Sequence, residues 1–90
     1  MSSCTYRIDY VYENGSILEG PTYRTPSDSG MTCVKFLQLV LDDLRTRDEY
    51  KGFAEILMSQ AIFPKHPSMR LNFSCYYNDF IRIQHLSCRS

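Results

Sequence analysis

Thr5-Tyr6-Arg7-Ile8-Asp9-Tyr10-Val11-Tyr12-Glu13-Asn14-Gly15-Ser16-Ile17-Leu18-Glu19 reads as a β-hairpin. Alternation along its first arm puts Cys4, Tyr6, Ile8, Tyr10 and Tyr12 on one face, with Thr5, Arg7, Asp9, Val11 and Glu13 on the other. Asn-Gly between two such arms is the strongest short-range hairpin signal, because a type I′ turn needs positive φ at both central residues. A two-residue turn at Asn14-Gly15 pairs Tyr12 with Ile17, Tyr10 with Glu19 and Tyr6 with Tyr23. Gly20-Pro21 interrupts the return arm. Proline cannot donate to a ladder, so this strand is expected at a sheet edge or bulged near Gly20.

A second hairpin closes the chain. Met69, Leu71, Phe73 and Cys75 share a face, as do Ile81, Ile83 and His85 on the return. A three-residue loop, Tyr77 to Asp79, sets Phe73 opposite Ile83 and Cys75 opposite Ile81. A two-residue loop would turn one apolar set to solvent, so the buried face selects the odd loop, with Asn78 or Asp79 left-handed. Between the hairpins, Cys33, Phe36, Leu37, Val40, Leu41 and Leu44 recur at helical spacing, with Asp28 or Ser29 expected as the N-cap. Thr46-Arg47-Asp48-Glu49 fits a capping box opening a second helix, whose stripe is Tyr50, Phe53, Ala54, Leu57, Met58 and Ala61. Pro64 and Pro67 end the helical region. The expected fold is one α+β domain over residues 1–90, ordered ββααββ: an antiparallel four-stranded sheet of two hairpins, with two helices on one face.

Ninety residues suit one domain, and 43% hydrophobic with 22% charged residues is ordinary globular composition. No basic n-region or apolar h-region opens the chain, and no apolar run approaches a membrane span. A cytoplasmic location is therefore expected (host cytoplasm for a viral protein), with Cys4, Cys33, Cys75 and Cys88 as reduced thiols.

Ten basic and ten acidic residues balance, which argues against a general polyanion binder. No cysteine pair has zinc-knuckle spacing; His85-Leu86-Ser87-Cys88 has a suitable gap, but its partners would have to come from Cys75 and one distant residue, so no metal site is expected, and Cys4, Cys33 and Cys75 read as small core residues. Cys33 near a helix start is the best-placed thiol for nucleophilic chemistry, yet it lies on the apolar stripe. No paired carboxylates and no glycine-rich phosphate loop are evident. No enzyme activity and no cofactor are expected.

Surfaces remain. Arg70, Tyr76, Phe80, Arg82 and Gln84 on the polar face of the last hairpin have the composition of a recognition surface, as does the Arg7/Asp9/Val11 face of the first strand. From Phe63 onward, Lys65, Arg70, Arg82 and Arg89 stand against Asp79 alone, which gives the alternative of a nucleic-acid-binding module. Asp42, Asp43, Asp48 and Glu49 near the helix junction would mimic phosphates, but Arg45 and Arg47 balance them.

In its length and its lack of catalytic motifs, the chain resembles the small stand-alone proteins of phages and other viruses, including anti-CRISPR inhibitors of host defence. That resemblance implies a protein that occludes a partner's surface. The functional expectation is a binding protein acting by protein–protein contact on another protein or complex, with nucleic acid second, no membrane partner, and a homodimer through the exposed strand edge as a compatible state.

Overall fold

The first hairpin closes with a turn one residue wider than Asn14-Gly15 alone would give. The computed structural model describes residues 2–27, 30–62, 64–71 and 74–89. In it, β1 (Ser3–Val11) and β2 (Ile17–Pro26) are joined through Tyr12, whose N–H donates to the Ser16 carbonyl, while the Gly15 N–H donates to the Tyr12 carbonyl, both at 2.9 Å. Only Gly15 and Gly30 have positive φ among the described residues, so Asn14 does not adopt the left-handed conformation of a type I′ turn. Instead the Asn14 side chain accepts from the Ser16 N–H and hydroxyl, and Gly15 alone carries the left-handed step, at φ 88°. Tyr10 consequently opposes Leu18, and Asp9 opposes Glu19.

The expected register returns further along. A bulge lies between Arg7 and Asp9, where Gly20-Pro21 of β2 stands across from Ile8 alone. Beyond it, Tyr6 opposes Tyr23, as alternation requires. Gly20 also admits a helix. A Cβ built there would meet the Phe53 ring and lie 2.7 Å from the Ile8 carbonyl oxygen. The bulge and the missing side chain together let Phe53 reach the sheet.

The helices follow the apolar stripes with different caps. In α1 (Cys33–Leu44), Cys33, Phe36, Leu37, Val40 and Leu44 are buried. Its N-cap is Thr32, whose hydroxyl accepts from the Lys35 N–H at 3.1 Å. Asp28 and Ser29, the expected caps, lie outside the described residues. Thr46 does not open a capping box: its hydroxyl donates to the Asp43 carbonyl and so closes α1. A 3-10 turn (Asp48–Tyr50) then leads without a side-chain cap into α2 (Lys51–Gln60), which buries Phe53, Ala54 and Leu57.

β3 (Cys75–Tyr76) and β4 (Ile81–Arg89) complete the sheet. Cys75 opposes Ile83 rather than Ile81, and the Tyr77 N–H donates to the Ile81 carbonyl. The loop is therefore Asn78 to Phe80. It keeps three residues but is displaced by one, which shifts the register by two and leaves every face unchanged. Neither Asn78 nor Asp79 is left-handed. Asn78 instead accepts from the N–H groups of Phe80 and Ile81, and it donates to the Gln60 carbonyl at the end of α2. Tyr77 is thereby turned into the core, its hydroxyl donating to the Ala61 carbonyl. Phe73 lies outside the described residues.

The sheet order is β2-β1-β4-β3, all antiparallel, with β2 at an edge as its proline requires. Both helices pack on the face of Cys4, Tyr6, Ile8, Ile81 and Ile83. The four cysteines are joined as Cys4–Cys88 and Cys33–Cys75, which corrects the expectation of reduced thiols. The fold brings the two pairs together from 84 and 42 residues apart, so neither has a local signature in the sequence.

The Tyr23 hydroxyl donates to Asp43 at 2.7 Å, linking β2 to α1. This bond first, and Arg47 beside it, hold the Asp43 carboxyl below its usual range. A depressed folded-state value means stability that is present above about pH 4 and lost as the pH falls through the folded value. The urea midpoint of Tyr23→Phe should consequently fall less than that of the wild type on acidification below about pH 4. Equal acid sensitivity would show that the bond does not contribute.

Gly20, which faces α2, and Gly52, within α2, should respond in opposite directions to an added side chain. Gly20→Ala is expected to destabilise by about 1–3 kcal/mol through overpacking against Phe53 and Ile8. Gly52→Ala, where an added Cβ meets nothing within 4 Å, should stabilise by about 0.5–1 kcal/mol. Thermal or urea unfolding of both variants checks the pair.

Candidate functional site

The helices leave the second face of the sheet uncovered, and its centre is a buried carboxylate. Asp9 lies on β1 with a partner on each side, Glu19 of β2 and Arg82 of β4, and is fully buried. Its Oδ1 accepts from Arg7 Nε at 2.7 Å; its Oδ2 accepts from Arg7 Nη2 at 3.1 Å, Arg82 Nε at 3.3 Å and Arg82 Nη2 at 2.9 Å. Arg7 comes from the same face two residues earlier, and Arg82 is the direct cross-strand partner of Asp9 on β4. Glu19, opposite Asp9 on β2, approaches Arg7 Nη1 at 3.5 Å. A buried carboxylate is costly unless paired and fully hydrogen-bonded. Four charge-assisted N–H donors satisfy that condition.

The clamp also fixes the arginines. Hydrogen bonding to Asp9 holds both guanidinium groups above their ordinary proton affinity, with Tyr76 adding to the effect on Arg82. Tyr76 is the cross-strand partner of Arg82 on β3 and is half exposed. Gln84 opposes Arg7 across the β1–β4 pair. Arg7, Asp9, Tyr76, Arg82 and Gln84 therefore form one patch spanning three strands.

The structure divides the recognition set expected from sequence. Tyr76, Arg82 and Gln84 come together. Phe80 sits at the turn, half-buried, and stacks on Tyr10 with ring centroids 6.4 Å apart. Arg70 is exposed outside the four-stranded sheet, in an isolated bridge to Thr32. The basic set is dispersed as well. Lys65 pairs with Asp79 at 2.7 Å, beside a hollow lined by His66, Met69, Ser74 and Tyr76. Arg82 is committed to Asp9, and Arg89 ends β4, seven residues or roughly 23 Å further along that strand. At the helix junction, Asp43 pairs with Arg47 at 3.3 Å and Asp48 with Lys51 at 3.1 Å, so those carboxylates are partly neutralised.

Sequence reasoning missed the burial of Asp9. The available signal was an aspartate in the middle of a strand with an arginine two residues away, flanked by residues of strong β propensity. Its second partner, 73 residues later, had no local signature.

Compared with protein-family models, with curated proteins and with solved structures, the chain matches none.

Arg82→Gln would remove two of the four donors to Asp9. It should lower unfolding free energy by about 2–3 kcal/mol, below the range for a fully buried pair because the guanidinium is partly solvated. Arg70→Gln, at an exposed site outside the sheet, should stay within about 0.5 kcal/mol of wild type. Urea unfolding of both variants measures the contrast.

Proposed function

We propose that the chain is a non-enzymatic binding protein that acts by protein–protein contact through the uncovered face of its sheet. The observation that carries this reading is the Asp9 clamp, which holds Arg7 and Arg82 in place beside an exposed tyrosine. Arginine and tyrosine are enriched among the residues that dominate binding energy at interfaces. Side chains already ordered before contact lose less conformational freedom on binding. The partner that fits is a protein surface presenting carbonyl or carboxylate acceptors around a pocket for the Tyr76 ring. Such contact needs shape and charge rather than catalysis, which is how small phage and viral inhibitors occlude their targets. Lys65, Arg70, Arg82 and Arg89 are dispersed rather than gathered in one basic strip, which favours a protein partner over nucleic acid.

Affinity capture from lysate of the source cell tests the reading, with the wild type compared against Tyr76→Ala and Gln84→Ala. A single protein complex should be retained by the wild type, and Tyr76→Ala should weaken its retention about tenfold or more. Retention unchanged in both variants would overturn the assignment of the face. Nucleic acid eluting steeply with salt, without a stoichiometric protein, would overturn the partner class.

A further inference from the structure

Where β4 leaves the hydrophobic core, three ligand-type side chains converge at one point. Cys4 is buried, His85 is half-buried and Cys88 is exposed, and their sulfur and ring-nitrogen atoms all lie within 4.8 Å of one another. His85 Nε2 is 3.1 Å from Cys88 Sγ. The strand geometry that achieves this is irregular. His85 and Cys88 are three residues apart, and in a regular strand that spacing points side chains to opposite faces. The β1–β4 ladder slips between Thr5 and Tyr6: Tyr6 opposes His85 but Thr5 opposes Ser87, so Leu86 is an extra residue on β4. That bulge brings His85 to the side of Cys88. The same slip sets Cys4 opposite Cys88, where a regular ladder continued from Tyr6–His85 would place Ser87; the disulfide between them does not itself require the imidazole.

We propose that Cys4, His85 and Cys88 form a thiol-gated site for a borderline-soft divalent ion of the zinc class, closed by the disulfide and opened by its reduction. A thiol reductant transfers two electrons and two protons, breaking the Cys4–Cys88 bond and leaving two thiols while the reductant becomes its own disulfide. The metal ion then displaces the two thiol protons to solvent and is held by two thiolates and the neutral imidazole. This set neutralises a divalent charge and leaves a fourth position open. Zinc–sulfur and zinc–nitrogen bonds of about 2.3 and 2.0 Å put tetrahedral ligand atoms about 3.5–3.8 Å apart. The present spacing reaches that range with small side-chain movements once the sulfur–sulfur bond is broken. The exposed Cys88 gives an ion its entry path. Cys33 and Cys75, both buried, have no third ligand grouped with them among the described residues.

The test uses the full chain, reduced with a dithiol, desalted without oxygen and titrated with Co2+ and then Zn2+. One equivalent of Co2+ should give thiolate-to-metal charge-transfer absorption with tetrahedral d–d bands, and Zn2+ should displace it. His85→Ala should alter the d–d bands and weaken binding about tenfold or more, since loss of even an outer-shell partner has effects of that order. Cys88→Ser should abolish the charge-transfer band, and the oxidised protein should take up no ion. Zn2+ should also raise the Tm of the reduced wild type but not that of Cys88→Ser, a readout that holds even where folding depends on the metal. No charge-transfer band together with no Tm rise overturns the proposal. So does a band that persists in both variants, which would assign the metal to Cys33 and Cys75.

Discussion

β1 is paired along both edges, and the rest of the molecule is arranged around that constraint. A strand with neighbours on each side has its backbone groups satisfied and its side chains committed to two fixed faces. One face of β1 carries Cys4, Tyr6 and Ile8 into the core. The other carries Arg7 and Asp9, with Asp9 lying between β2 and β4 where water does not reach it. Burying that carboxylate obliges the sheet to supply cations from within its own surface. Arg7 and Arg82 do so, and the Asp9–Arg82 contact joins residues 73 positions apart. A slip of one residue in the β1–β4 register would place Arg82 on the core face and leave the carboxylate short of donors. The clamp therefore adds to apolar packing in opposing register errors, since the same slip turns Ile81 and Ile83 out of the core.

Two departures from regular pairing are as informative as the pairing itself. The Gly20-Pro21 bulge lies on the edge strand and removes the side chain that Phe53 would strike, so α2 can close on the sheet. The Leu86 bulge lies on the opposite side of β1 and turns His85 toward the two cysteines that join the ends of β1 and β4. Both bulges add a residue to the strand flanking β1 and leave β1 regular. The central strand keeps its alternation, and its neighbours absorb the irregularity.

The helices cover one face and leave the other to the Arg7–Asp9–Arg82 clamp, with Tyr76 and Gln84 beside it. The binding reading and the metal reading concern different chemistry. The first rests on charged groups already ordered on a polar surface; the second rests on soft ligands whose availability depends on thiol oxidation.

Element order, the two helical stripes, the β2 edge and the shared buried face of Cys75, Ile81 and Ile83 were legible in the sequence, because periodicity and proline act locally; which face of the first hairpin is buried was not. Turn geometry was less so. Asn14-Gly15 signalled a hairpin correctly, but residue preferences do not distinguish a wider turn with one left-handed glycine from a type I′ turn when a later bulge restores the register. The displaced second loop has the same origin: Asn78 finds its partners on α2 as well as in its own turn, and that contact is tertiary. The candidate site divides along the same line. Tyr76, Arg82 and Gln84 could be read as one face from alternation alone. The roles of Asp9, of the cysteine pairs and of His85 could not, because each depends on residues that only the closed sheet brings together. Side-chain alternation is a property of a single strand, whereas charge burial, disulfide pairing and ligand convergence are properties of which strands become neighbours.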